Sequence, residues 1–219
     1  MERHFETSLR ELKVQLVAMA SHVERAIGNA IEGLQNGDFA AIASVYSVEE
    51  TINRENMDLD GSCVRLLALQ QPLAADLRLL IAVIKINTDL ERMGDQAVNI
   101  AQDAEAYLKG APLKPLIDLP KMFMEVQGMV RESINSFVNR DEKLARDVLK
   151  RDDVVDGLKA KIINDVTEIL KTRPTDVRQG LHLILIARHL ERIGDHATNI
   201  AEDVIYAISG KDVRHGGST

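Results

Sequence analysis

Tryptophan is missing from this chain, aromatic residues make up only 3% of it, and there is a single cysteine, Cys63. So poor an aromatic supply leaves Leu, Ile, Val, Ala and Met to fill a core, which suits helices packed on helices better than a sheet sandwich. One thiol closes no internal disulfide and makes no zinc-binding pattern, which fits a reducing compartment. Five prolines and 13 glycines in 219 residues leave little turn material, so long elements with few connections are expected. The first residues, Met1-Glu2-Arg3-His4-Phe5, lack the apolar segment of a secretory signal. The longest apolar run, Leu79–Ile84, is far too short to span a bilayer. These absences predict a cytoplasmic protein that meets membranes only through partners. A formal charge of −7 with no run of Lys or Arg argues against nucleic acid and anionic lipid as ligands.

What the chain does have is a repeat. Leu90-Glu91-Arg92-Met93-Gly94-Asp95 returns as Leu190-Glu191-Arg192-Ile193-Gly194-Asp195, and Asn99-Ile100-Ala101 returns as Asn199-Ile200-Ala201. Upstream the spacing lengthens by three residues, so that Asn36-Gly37-Asp38 meets Asn139-Arg140-Asp141 and Glu49 and Asn53 meet Asp152 and Asp156. Self-similarity on this scale marks a duplicated structural unit. Each unit reads as three helices. In the first, Leu9, Leu16, Val23 and Ala30 alternate with Leu12, Met19 and Ala26 in a heptad seam. Asn36-Gly37-Asp38 combines a helix stop, a turn and an N-cap. Further helices are expected at about 39–70 and 75–108, then at about 118–139, 142–172 and 175–208. The predicted fold is all-α, two tandem three-helix bundles related by internal duplication. The first spans 1–109 and the second 118–208, with a Pro- and Gly-bearing linker at 110–117 and a frayed tail at 209–219.

The chemistry lies in carboxylates. Glu91 and Asp95, and again Glu191 and Asp195, stand four residues apart on one helical face, a spacing that destabilises a helix slightly unless something offsets the like charges. A wheel count puts these pairs, extended by Asn99 and Asp103 or Asn199 and Asp203, on an exposed ridge away from Leu190, Ile193 and Ala197. The glycine inside each pair costs about 1 kcal/mol relative to alanine in mid-helix, which suggests close approach of another helix or a ligand. On the second helix of the later unit, Asp152 and Asp156 repeat the spacing, so two carboxylate pairs on neighbouring helices converge. Such oxygen-rich sets suit Mg²⁺, Ca²⁺, iron or manganese. The earlier unit has Glu49 but Asn53, which predicts a weaker first site. The alternative is a solvated face with Arg92 and Arg192 neutralising Asp95 and Asp195. His182, His189 and His196 recur every seven residues beside the acidic stripe. No phosphate loop, nucleophile elbow or nucleophile–base pair is present, and Gly94 and Gly194 occupy the place of the histidine in the Glu-x-x-His signature of di-iron bundles. The expectation is a protein without enzymatic activity, the open alternatives being a metal-dependent enzyme and a metal-free helical scaffold.

Leu-Glu-Arg-(Met/Ile)-Gly-Asp-(Gln/His)-Ala-x-Asn-Ile-Ala, twice in a chain of this length, resembles the PhoU family. So do Arg151-Asp152-Asp153-Val154-Val155-Asp156 and the Gln71-Pro72-Leu73 start of the third helix. The resemblance implies multinuclear metal binding through E/D-x-x-x-D motifs. Carried over residue by residue, the ligands are Glu49, Glu91 and Asp95 in one unit and Asp152, Asp156, Glu191 and Asp195 in the other. The ion would be iron, zinc, magnesium or manganese. It further implies a homodimeric signalling adaptor that links the ATPase subunit of the phosphate ABC transporter to a sensor histidine kinase. Such an adaptor represses the phosphate-starvation response and restrains phosphate uptake.

Overall fold

A computed structural model describes residues 2–113 and 118–213, with side chains from Phe5 onward. Residues 114–117 of the expected linker and 214–219 of the expected tail lie outside the described residues. Six α-helices run in the order α1 (Glu2–Asn36), α2 (Phe39–Gln70), α3 (Ala74–Leu108), α4 (Asp118–Asn139), α5 (Glu142–Thr172) and α6 (Val177–Ser209). The expected boundaries hold to within about two residues. The largest difference is at the start of α6, where Pro174–Asp176 form a 3₁₀ turn before the helix proper. Proline's fixed φ and missing N–H suit that first turn.

The breaks between helices follow from single residues. Gly37 has a φ of +67°, the left-handed conformation that ends a helix, and Asp38 then accepts hydrogen bonds from the amides of Ala40 and Ala41. In the second repeat Asp141 does the same for α5 through the amide of Leu144. After α3 the chain is tied down by the fully buried Tyr107. Its hydroxyl accepts from the amide of Leu113 at 2.8 Å and donates to that residue's carbonyl at 2.9 Å.

The seam read from the sequence is the core. Leu12, Leu16, Met19, Val23, Ala26 and Ala30 are all buried, and Leu9 packs against their edge. Helices α1–α3 pack on one another, α4–α6 do likewise, and α3 lies along α6 so that the third helices of the two repeats join them. Among the described residues, no helix is long and apolar enough to cross a membrane.

The seam between α3 and α6 is polar and has an internal twofold logic. His196 Nδ1 lies 2.9 Å from Asp89 Oδ1, and His189 Nδ1 lies 2.9 Å from Gln96 Oε1. These are the same contact seen from each repeat, since Asp89 corresponds to His189 and Gln96 to His196. Farther along, His182 Nδ1 lies 2.9 Å from Asp103 Oδ1, and Lys85 Nζ donates to Asp203 Oδ1 at 2.6 Å.

That seam corrects one expectation. Asp103 and Asp203 do not continue the exposed acidic ridge; they turn toward the other repeat, and Asp203 is only 7% exposed. Eight residues beyond Asp95, an α-helix has rotated about 80° past two full turns. The ridge therefore ends and its last acid enters the seam.

Candidate metal centres

Each pair of acidic motifs is brought together by one helix crossing, and the glycine marks it. A Cβ placed on Gly94 would stand 3.2 and 3.3 Å from the Cδ1 and Cγ2 of Ile52. Glu91 and Asp95 flank that glycine at −3 and +1, and Glu49 and Asn53 flank Ile52 at −3 and +1. The contact of α3 with α2 thus lays the two pairs side by side. In the second repeat Gly194 faces Val155, the nearest side-chain carbon standing 3.6 Å from an added Cβ. Glu191 and Asp195 meet Asp152 and Asp156 by the same arithmetic. At Gly94 the glycine answers to the approach of a helix, whereas at Gly194 a methyl group has room.

Because the second crossing is looser, the two glycines should respond differently to alanine. Gly194→Ala adds a methyl at ordinary contact distance and is expected to stabilise by up to about 1 kcal/mol through helix propensity. Gly94→Ala pushes into a fully buried Ile52 and is expected to end about 1–2 kcal/mol below it. Thermal denaturation of the two variants measures the difference.

The carboxylates act on one another across the helices. Burial first, and then the charges of Asp195, Asp156, Asp153 and Glu191, push the Asp152 carboxyl above its ordinary range. Asp195 is pushed up in the same way, by burial and then by Glu191 and Asp156, with His196 and Lys159 opposing. In the first cluster Glu91 is raised by burial and by Asp95, with Glu49 adding to it and Arg92 opposing. These are concentrations of negative charge lacking sufficient cation, the electrostatic condition that favours a bound metal ion.

Two contacts show how the protein lives with that charge. Lys159 Nζ donates to Asp156 Oδ1 at 2.8 Å and to Glu191 Oε1 at 2.7 Å, tying α5 to α6, and those bonds hold its ammonium well above the usual lysine range. The chain's own cation sits between two of the carboxylates assigned to the second site. In the first cluster Asn53 Nδ2 donates to Glu49 Oε1 at 2.5 Å, so the amide that stands in place of an acid hydrogen-bonds its neighbour without adding charge to the cluster. Neither Arg92 nor Arg192 forms an ion pair with the ridge among the described residues, although the charge of Arg92 partly offsets that around Glu91.

Of the seven predicted ligands, Glu49, Glu91 and Asp95 share one cluster and Asp152, Asp156, Glu191 and Asp195 the other. Among the described residues no three Asp, Glu, His or Cys side chains stand in an arrangement that holds a metal ion as they are. The sequence reading missed Lys159. The signal available was its position, three residues after Asp156, where the first repeat has Asn56.

The PhoU domain family model matches residues 16–104 and, a second time, residues 119–204. The chain belongs to the PhoU family. It is 35% identical over 220 residues to the phosphate-specific transport system accessory protein PhoU homolog of Pseudomonas aeruginosa, covering all of this chain and 91% of that one. The homolog of the same name from Aquifex aeolicus is 39% identical over 207 residues, 94% of each chain. Among solved structures, the crystal structure of PhoU from Pseudomonas aeruginosa superposes with a TM-score of 0.90 at 34% identity, covering 94% of this chain and all of that one. The phosphate transport system regulatory protein PhoU from Streptococcus pneumoniae gives 0.88 at 26% identity, covering 95% of this chain and 99% of that one. The two family matches coincide with the two halves of the fold, so the duplication read from Leu-Glu-Arg-x-Gly-Asp is a duplication of the PhoU domain.

Proposed function

We propose that this chain is a regulatory adaptor of phosphate homeostasis. It joins the ATPase subunit of a phosphate transporter to a membrane sensor kinase, represses the starvation response and restrains phosphate uptake. The observation that carries this reading is the double PhoU-domain match, together with similarity across nearly the whole chain to accessory proteins of phosphate-specific transport. The chain works as a binding protein and not as an enzyme. It acts in the cytoplasm as a homodimer and reaches the membrane through its partners.

Metal ions belong to the proposal. The donor set is wholly oxygen, which fits iron, manganese, magnesium or zinc, with iron and manganese suiting a multinuclear carboxylate site best. Lys159 supports the fit, because an ammonium already occupies the place between Asp156 and Glu191 where a cation is needed. When bound, the metal supplies positive charge that gathers the carboxylates and stiffens each crossing. The chain's own groups do the rest. Glu91, Asp95 and Glu49 would hold the first ion set, and Asp152, Asp156, Glu191 and Asp195 would hold the second in place of the Lys159 ammonium.

The second site carries one more carboxylate than the first and one lysine that the first lacks. The disadvantage expected of Asn53 is therefore reduced by the cost of displacing Lys159. Capture of the transporter ATPase and of the kinase's cytoplasmic part by this chain, with and without divalent metal, tests the adaptor reading. Specific capture of both partners supports it. Capture of neither under any condition contradicts it.

A further inference from the structure

A cleft of about 630 Å³ opens at one end of the molecule, away from the carboxylate clusters. It lies between the first turns of α1, the α2–α3 turn and the turn from α4 to α5, so both repeats contribute to its wall. Arg10, Lys13 and Arg140 line it, against two carboxylates, Glu6 and Asp76. Among the described residues none of the three cations forms an ion pair; Lys13 Nζ donates to the Val138 carbonyl at 3.3 Å and stands 5.6 Å from the centre of the Phe137 ring. Burial, and then the charge of Arg140, pushes the Lys13 ammonium below its usual range. In a chain of net charge −7, unpaired cations crowded into one cleft are an arrangement that an anion would complete.

Arg140 carries the argument further. Its φ is +54°, the left-handed region that favours glycine, and the equivalent position in the first repeat is Gly37, with a φ of +67°. The second repeat has an arginine where the duplicated turn accepts glycine without strain. The other two non-glycine residues with positive φ among those described, Gln71 and Ala74, lie in the turn that forms the opposite wall. Backbone strain gathered around one cleft is characteristic of binding sites. The side-chain oxygen of Gln70, a residue of the same wall, is buried without a partner.

We propose that this cleft binds an organic phosphate. The guanidinium groups of Arg10 and Arg140, aided by Lys13, take the phosphoryl oxygens through the forked hydrogen bonds that suit such a group. Phe5, Leu9 and Leu79 cover the organic portion. The volume argues against inorganic phosphate alone, since it falls in the range of small-molecule sites and a bare phosphate would leave most of it empty. This site is separate from the metal clusters and does not depend on them.

The test is calorimetric titration of the full chain in EDTA, so that no metal bridges a ligand to the carboxylates. ADP, glucose 6-phosphate and inorganic phosphate are the probes. The expected result is that ADP or glucose 6-phosphate binds with a Kd below about 1 mM, whichever binds showing whether the organic part is a nucleoside or a sugar. Inorganic phosphate should be at least about tenfold weaker, a difference of about 1.4 kcal/mol. Arg140→Gly restores the glycine of the first repeat and should melt no lower than the parent, yet lose binding about tenfold or more. Arg10→Gln, on an exposed helical position, should lose binding similarly. The proposal is overturned if neither organic probe binds below millimolar concentration, if Arg140→Gly and Arg10→Gln both bind like the parent, or if inorganic phosphate binds as tightly as the organic probes.

Discussion

Replacing Asp195 by Asn is expected to make the metal-free protein more stable while removing the stabilisation that the proposed metal would confer on the second cluster. Asp195 shares its crossing with Asp152, Asp156 and Glu191, and those charges, after burial, push its carboxyl upward. Asn keeps the shape and removes one charge from the repulsion. Because the group is partly solvent-exposed, the gain is modest, about 1–4 °C in Tm. The metal-dependent part is larger. A ligand present at one hundred times its Kd stabilises the folded state by about 2.7 kcal/mol, or about 5–11 °C for a chain of this size. Asp195→Asn should lose that increment at the second cluster, so the variant starts higher than the parent without metal and ends lower with it. The pH dependence has a definite sign. Glu91, Asp152 and Asp195 have folded carboxyls raised above their unfolded values, so the folded state binds more protons and their unfavourable contribution fades as pH falls. In EDTA these three groups favour folding increasingly from neutral pH down toward their unfolded values, 4.5 for the glutamate and 3.8 for the aspartates. Thermal melts across that range measure the slope, and Asp195→Asn should flatten it.

Asp103→Ala should move stability the other way. This carboxylate, only 15% exposed, receives His182 at 2.9 Å and His189 at 3.4 Å, and it joins α3 to α6 across the two repeats. Burial alone would raise its carboxyl, but hydrogen bonds from His189 and His182 outweigh that and hold it below its ordinary range. Alanine leaves His182 without its acceptor and removes the longer contact of His189, which keeps Gln96, a loss of about 1.5–3 kcal/mol for a bond to a charged group. The sign with pH is the reverse of that for Asp195. A depressed carboxyl stabilises above its unfolded value of 3.8, and the contribution disappears as pH falls through the lower folded value. Denaturant titration should therefore find the variant well below the parent at neutral pH and the gap closing in strong acid. A gap that stayed constant would mean that packing, and not the ionised pair, joins the repeats at this point.

Much of this was legible in the sequence because the signals were local. The heptads of Leu12, Leu16, Met19 and Val23 predict a buried seam, and Asn36-Gly37-Asp38 predicts both a stop and a cap. The mid-helix Gly94 predicts a close neighbour, which proves to be Ile52. The pairing of acids on neighbouring helices follows from the Glu-x-x-Gly-Asp spacing once two helices are known to cross there. What stayed hidden were relations between distant elements. A row of histidines at 182, 189 and 196 announces a face but not that Asp103, Gln96 and Asp89 oppose it, because the partners lie 79, 93 and 107 residues away. The turning of Asp103 and Asp203 out of the ridge depends on His182 and Lys85 of the opposite repeat, which a single helix viewed alone does not show. Lys159 escaped notice because a lysine near an aspartate on a helix is usually only a solvated pair. Here the crossing brings Glu191 within reach as well.

Metal content tests most directly whether the two acidic clusters gather metal. Wild-type protein, Glu91→Gln/Asp95→Asn and Glu191→Gln/Asp195→Asn would be incubated with iron(II), manganese or zinc, freed of unbound ion and assayed by elemental analysis. The predicted result is metal on the wild type, with each double variant losing the share of its own cluster and keeping that of the other. Wild-type protein with no metal above background, or variants carrying the same content as the wild type, would contradict it.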